Sequence, residues 1–390
     1  MKLGVISFKE CWQDESGHWY SSGGFPRQME AICSLFEHSQ LLVTRGKPKR
    51  GGIPLPKTIY VRAIRLPVGH DFRRKVDLIL TFPYYLYQIL RMIWSADVIH
   101  TPLPGDIPLI GMMVSLACGK PLIARYAGSW AKNNQNTPIN DFTRTIMRRF
   151  AGGKRVMLVT GSGSVPPGKG MNWIFSSAIT REELQQAQPD LNRGLSNPIQ
   201  LATIGRLSPE KGFAVVLQAA AKVRDVGLHP ALKWHLIGDG PERKRLEQMV
   251  RELKLGHFVS FEGQLDRKQL AAKLENIDLC VQASLTEGFS KAWLDAFMYG
   301  VPLIASSVGA SCEVVGNQAE RGWLVNPGDV SGLVKCLHEV LSADQDWPGL
   351  RQRCRAYVEN KTLEDWTNKI GNICADQWQL SFHEGRLKYA

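Results

Sequence analysis

Short, largely apolar runs recur along the chain, separated by stretches whose apolar residues fall three and four apart. In the second half the runs are Ile199–Ile204, Leu232–Ile237, Val259–Glu262, Leu279–Ala283, Leu303–Ser306 and Trp323–Val325. Runs without a polar face fit strands covered on both sides, as in a parallel sheet flanked by helices. Phe213–Arg224 and Glu242–Lys254 read as intervening helices, so this half predicts a doubly wound α/β domain. The first half repeats the scheme less regularly. Leu3–Phe8, Leu41–Val43, Ile59–Ile64, Asp97–His100 and Pro121–Tyr126 read as strands, with helices from Pro26 to about His38 and through Leu109–Ala117. Phe72–Trp94 is a helical stretch interrupted by Pro83, and its many aromatic residues suit either a core face or a membrane interface.

At 390 residues the chain is too long for one typical core, and two domains are expected. Arg181–Gln188 reads as a short helix and Pro189–Pro198 as a linker, giving domains over 1–190 and 199–345. Residues 346–390 close the chain with helices over Gly349–Val358 and Leu363–Gln379.

Composition narrows the class. No apolar segment approaches the length of a membrane-spanning helix, and Leu3–Phe8, followed by Lys9 and Glu10, is too short for a signal-peptide core. Eight cysteines without a Cys-x-x-Cys pair predict reduced thiols in a cytoplasmic protein and no zinc site. Charge is unevenly placed: residues 1–195 carry 25 Lys and Arg against 13 Asp and Glu, and residues 196–390 carry 23 of each. The first half therefore suits a polyanionic partner; no nucleic acid is expected. Arg45–Lys57 reads as an exposed, mobile basic loop containing Arg45, Lys47, Lys49, Arg50 and Lys57. Arg73, Arg74 and Lys75 precede the aromatic stretch, and together these groups suggest peripheral attachment to an anionic membrane surface.

Candidate chemistry gathers at Thr286–Gly300. Glu287 follows a buried strand, Gly288 permits a sharp turn, and Ser290 is a good N-cap for the apolar-faced helix that follows. A carboxylate and helix-mouth amides at a strand's carboxyl end form a ligand position, although a capping acid in an ordinary loop has the same appearance. Gly23 and Gly24 allow a close backbone approach before the first helix, or form a plain loop. Gly163-Ser164-Val165-Pro166-Pro167-Gly168-Lys169-Gly170 nearly spells a phosphate loop, but two prolines lack the amides it needs and Gly170 lacks the hydroxyl. The sole Asp-x-Asp, Asp344-Gln345-Asp346, stands in a terminal loop as solvated acids, so no metal site is expected.

Five ordered blocks carry a resemblance. Ile204-Gly205-Arg206-Leu207-Ser208-Pro209-Glu210-Lys211-Gly212 resembles a donor-phosphate motif, and Glu287 with Asp295 resembles a Glu-x7-Glu motif whose second acid is here Asp. Gly300–Ala305, Gly309–Val315 and Gly322–Asp329 resemble the next three blocks. Together they resemble retaining glycosyltransferases with the GT-B fold, of the family-4 type (glycosyl transferases group 1).

The resemblance implies two facing Rossmann-like domains with a cleft between them, and at least one terminal helix crossing back to the first. It implies a nucleotide-sugar (UDP-, GDP- or ADP-) as co-substrate, no cofactor, no metal, and a glycan or lipid-linked acceptor. Glu287, Arg206 and Lys211 would be catalytic; Gly24, Gln264, Leu265, Phe289, Ser290, Lys291 and Asp295 would bind donor, the last at the ribose diol. On the acceptor side the candidates are Gly23, His100 and Tyr126, in or beside loops that include Thr101–Asp106 and Ala127–Asn136. The family's usual His after the Pro121–Tyr126 strand is replaced by Arg125-Tyr126-Ala127-Gly128. A nucleotide-sugar 2-epimerase of the same fold and a catalytically weak nucleotide-sugar-binding module are the alternatives.

Overall fold

The apolar segments of the first half pair into a sheet that, among the described residues, has nine strands. The computed structural model describes residues 1–48, 52–68, 71–130, 137–225, 232–317, 319–342 and 344–389, with side chains described except at 71, 72 and 75. The strands are β1 (Lys2–Gln13), β2 (Trp19–Ser21), β3 (His38–Arg45), β4 (Ile53–Pro54), β5 (Tyr60–Ile64), β6 (Val98–Leu103), β7 (Leu122–Tyr126), β8 (Arg155–Thr160) and β9 (Met171–Ile174). Its parallel part runs β5-β3-β1-β6-β7-β8-β9, and antiparallel pairs join β2 to the last residues of β1 and β4 to β2. Helices α1 (Phe25–Cys33), α2 (Asp71–Leu80), α3 (Phe82–Ser95), α4 (Asp106–Ala117) and α5 (Pro138–Phe150) connect the strands. One sheet face is apolar: Ile6, Ile99, Leu122, Ala124 and Met157 pack with Tyr85, Ile89 and Met92 of α3 and Met112 of α4.

Three expectations change here. β1 extends through Gln13 because its polar end pairs with β2, with Cys11 opposite Ser21. The first helix stops at Cys33, since His38–Arg45 is needed as a strand beside β1. The basic loop is anchored, not wholly exposed: Ile53–Pro54 pairs with β2 and Leu55 is buried. Lys49 and Arg50 lie outside the described residues.

Helix α6 (Arg181–Gln186) opens the second unit, which spans Ile179–Thr362. Its sheet contains β10 (Ile199–Ile204), β11 (Leu232–Ile237), β12 (Val259–Gly263), β13 (Leu279–Gln282), β14 (Leu303–Ser306) and β15 (Gly322–Val325). All are parallel, in the order β12-β11-β10-β13-β14-β15. The order reverses between β10 and β13, and such a switch point leaves a crevice at the strands' carboxyl ends. Helices α7 (Phe213–Asp225), α8 (Arg243–Glu252), α9 (Arg267–Leu274), α10 (Lys291–Met298), α11 (Ser311–Val315), α12 (Val330–Ser342) and α13 (Trp347–Val358) complete the unit. Its core joins Trp234, Leu236, Val281 and Ile304 of the sheet to Val216, Leu217 and Ala220 of α7.

The chain then returns to the first unit, which is formed by Met1–Ala178 and Leu363–Ala390. Helix α14 (Leu363–Trp378) packs against α1 and buries Trp366, and Gln377 Nε2 donates to the carbonyls of Gly153 and Arg155. A hairpin of β16 (Ser381–His383) and β17 (Arg386–Lys388) ends it.

Candidate active site

The switch point of the second unit brings together two loops that are 76 residues apart in sequence. After β10 the chain forms a turn through Arg206 to Gly212; after β13 it passes Glu287 and enters α10. Lys211 Nζ donates to Glu287 Oε2 across this junction. Arg206, on the same loop as Lys211, is exposed and has no ion-pair partner among the described residues. The two cations and the acid predicted from sequence thus stand on adjacent loops.

Close backbone packing holds these loops. The Leu285 amide donates to the Glu210 carbonyl at 2.8 Å, and Ser208 Oγ donates to Glu210 Oε1 at 2.6 Å. Gly212 adopts φ +67°, and a Cβ there would lie 1.8 Å from the Ala283 carbonyl oxygen. Gly309, at φ +57°, would place one 2.2 Å from the Glu287 carbonyl oxygen, while Ala310 N donates to Gly288 O at 2.9 Å. Only glycine admits both the conformation and the approach, so two of the sequence blocks brace a third.

Ser290 occupies the N-cap of α10 without making a side-chain capping bond, and Phe289, Ser290 and Lys291 lead into the first turn. Gln264 and Leu265 form the loop after β12, Gln264 exposed. Asp295 is buried on α10 and accepts a 2.5 Å hydrogen bond from Arg267 Nη1. The same guanidinium reaches Glu183 on α6 at 3.2 Å. Burial works to lower the Arg267 pKa, but Asp295 and Glu183 outweigh it and raise it. Sequence reasoning missed Arg267, whose partners lie 28 and 84 residues away; the Thr180-x-x-Glu183 capping box was the one local signal. Arg267→Ala leaves two carboxylates facing each other. With Arg267 24% exposed, we expect a loss of about 2–3 kcal/mol, below the value for a fully buried pair, measured by urea unfolding.

The first-unit candidates are less uniform. Gly23 and Gly24 form the turn into α1, with Gly24 at its N-cap. His100 is fully buried; its Nδ1 faces the Ile123 carbonyl at 2.9 Å, and burial first, then Arg125, lowers its pKa to about 3. It is a neutral group inside the layer. Tyr126 is 1% exposed and packs edge-on against Trp130 in the apolar cluster. Residues 131–136 of the adjoining loop lie outside the described residues.

Gly163–Gly170 joins β8 to β9, with no helix after it, and its Val165 and Pro167 carbonyls accept from the Trp173 and Trp130 indoles. Asp346 caps α13 by accepting from the Gly349 amide at 2.9 Å. On α2 and α3, Tyr85, Ile89, Met92 and Ile93 are buried, whereas Ile79, Leu80, Phe82, Tyr84, Tyr87 and Trp94 are exposed. Arg73 is exposed, but Arg74 is paired with Asp106 and stacked on Phe8; the Lys75 side chain lies outside the description.

Residues 189–361 match the family model described as glycosyl transferases group 1. A 2-deoxystreptamine glucosyltransferase of Streptomyces kanamyceticus is 25% identical over 81% of this chain and 88% of its own length. A 2-deoxystreptamine N-acetyl-D-glucosaminyltransferase of Niallia circulans is 28% identical over 41% of the chain, and that match spans only 40% of the relative. HepE of Anabaena, solved in complex with UDP and glucose, superposes with a TM-score of 0.70 at 17% identity, over 95% of this chain and 98% of that one. This last likeness concerns the fold, which is GT-B. The chain is thus similar to the glycosyl transferases group 1 over residues 189–361.

Proposed function

We propose that the protein moves a sugar from a nucleotide-sugar to a hydroxyl of a glycan or lipid-linked acceptor, with retention and without a metal ion. The observation that carries this reading is the Lys211–Glu287 pair at the switch point, with Arg206 on the same loop. In such a transfer the diphosphate leaves and gains negative charge, which Arg206 meets with its fork and Lys211 as a point charge. Lys211 then exchanges Glu287 for phosphate. Glu287, released, accepts hydrogen bonds from sugar hydroxyls and stabilises oxocarbenium character at the anomeric carbon. Amides at the start of α10 hold phosphate or sugar oxygens, Asp295 serves the ribose, and the backbone of Gln264 and Leu265 serves the base. Engagement of Asp346 as a helix cap supports a site without Asp-x-Asp metal ligation. Retention rests on the family likeness, and a uridine donor is supported by the UDP named in the HepE complexes. A thermal-shift panel of UDP-, GDP- and ADP-sugars tests the donor reading. A ligand at 100-fold its dissociation constant adds about 2.7 kcal/mol of stability, and absence of any shift across the panel rejects it.

We further propose that the first unit works at the cytoplasmic membrane face through the exposed aromatic and aliphatic residues of α2 and α3. No described helix is long and apolar enough to cross a membrane, which leaves surface attachment as the mode available to these helices. In sedimentation with anionic liposomes we expect binding that weakens with salt and falls when Tyr87 and Trp94 become Ser. No binding at low salt rejects the membrane reading alone.

A further inference from the structure

We propose that the first unit contains a binding site for a small oxyanion, a phosphate or phosphate monoester, between its sheet and helices α1 and α14. Arg125, at the carboxyl end of β7, is 4% exposed, and among the described residues no carboxylate pairs with it. Its Nη2 donates to Gln28 Oε1 at 3.4 Å, its guanidinium lies 5.4 Å from the Trp366 ring centre, and its buried Nε–H has no acceptor among the described residues. Gln28 is neutral and fixed in place, its amide nitrogen donating to Ser176 Oγ and the Ser177 carbonyl. Burial lowers the guanidinium pKa only to about 10, so it stays charged at neutral pH. An ion withdrawn from water without a counter-charge is strongly disfavoured, and a bound anion removes that penalty.

Two more buried polar atoms in the same layer lack partners among the described residues. Arg125 is in register with Leu158, so Thr160, two residues on, shares its sheet face. Thr160 Oγ1 and Trp366 Nε1 are both buried, with no hydrogen-bond partner among the described residues. The layer thus presents a cation and three donors (Arg125 Nε–H, Thr160 O–H and Trp366 Nε1–H). A phosphate group matches that set: its oxygens accept from the donors and its charge meets Arg125. Water would meet the hydrogen bonds but not the charge. The carboxyl ends of strands are also where open α/β sheets take ligands.

As a statement about the acceptor, this rests on the glycosyl-transfer reading; as a binding site it is independent of it. The test is isothermal titration of the full-length Arg206→Ala, Lys211→Ala variant, which lacks the second unit's phosphate-directed cations. Inorganic phosphate, glycerol 1-phosphate and glycerol are the probes. We expect saturable phosphate binding, weakened about tenfold or more by Arg125→Gln, and weakened also by Thr160→Val, which keeps the shape and removes only an unpartnered hydroxyl. Binding of glycerol 1-phosphate as well assigns the site to a substrate-borne phosphate; binding of inorganic phosphate alone assigns it to the free ion. Either supports the site. Absence of saturable phosphate binding, or affinity unchanged in Thr160→Val, overturns it.

Discussion

Replacing Lys211 by alanine is expected to lower turnover about 10²–10³-fold, and replacing Arg206 to do the same, the range for removing one preorganised electrostatic group. The structure separates the two variants in their other consequences. Arg206 is exposed and has no ion-pair partner among the described residues, so its loss should leave thermal stability unchanged. Lys211 is the partner of Glu287, whose side chain is only 12% exposed, so Lys211→Ala leaves a half-buried acid uncompensated. It should therefore lower stability as well as turnover, and adding Glu287→Gln to it should restore stability but not activity. Lys169→Ala, on the loop between β8 and β9, is the control and should change nothing. Steady-state kinetics with thermal melts on the four variants decide. Near-wild-type kcat in both Arg206→Ala and Lys211→Ala removes the diphosphate role from this loop.

The second large effect concerns Glu287 alone. Glu287→Gln preserves shape and one acceptor oxygen but removes the charge that opposes Lys211 before the donor binds and a developing positive centre afterwards. Donor affinity should change little, or rise as Lys211 is freed, while kcat falls steeply; that split marks an interaction made in the transition state. Isothermal titration with donor beside single-turnover kinetics resolves the two terms. A loss confined to affinity, with kcat intact, would make Glu287 a binding residue only.

Why the second unit was readable from sequence, and the first less so, follows from burial. β10, β13 and β14 are covered on both faces, so they appear as largely apolar runs, and the glycine-containing loops between them bear local signatures. The two-residue β4 has no such signature; only pairing with β2 creates it. The aromatic stretch at Phe72–Trp94 offered core or membrane as alternatives, and the structure divides it: one face carries Tyr85, Ile89 and Met92 into the core, the other exposes Tyr87 and Trp94. No element was assigned over α5, β8 and β9, although Val156–Val159 is an apolar run. Among site residues, Glu287 and Lys211 were legible as motif members, but their pairing was not, because it depends on strand order and not on spacing. His100 and Tyr126 were legible as positions near strand ends, but the depth at which each is buried is a property of tertiary packing, which for Tyr126 includes the cluster that α3 enters.

The most direct test of the whole account is a transfer assay with a radiolabelled nucleotide-sugar and a cell lipid and glycan extract, run on the wild type and on Glu287→Gln. The account predicts that wild-type protein releases nucleoside diphosphate and moves label to an acceptor, with retained anomeric configuration by NMR of the product, and that Glu287→Gln binds the same donor yet transfers almost none. Binding of a nucleotide-sugar without hydrolysis, epimerisation or transfer by the wild type, whatever the extract, would contradict it.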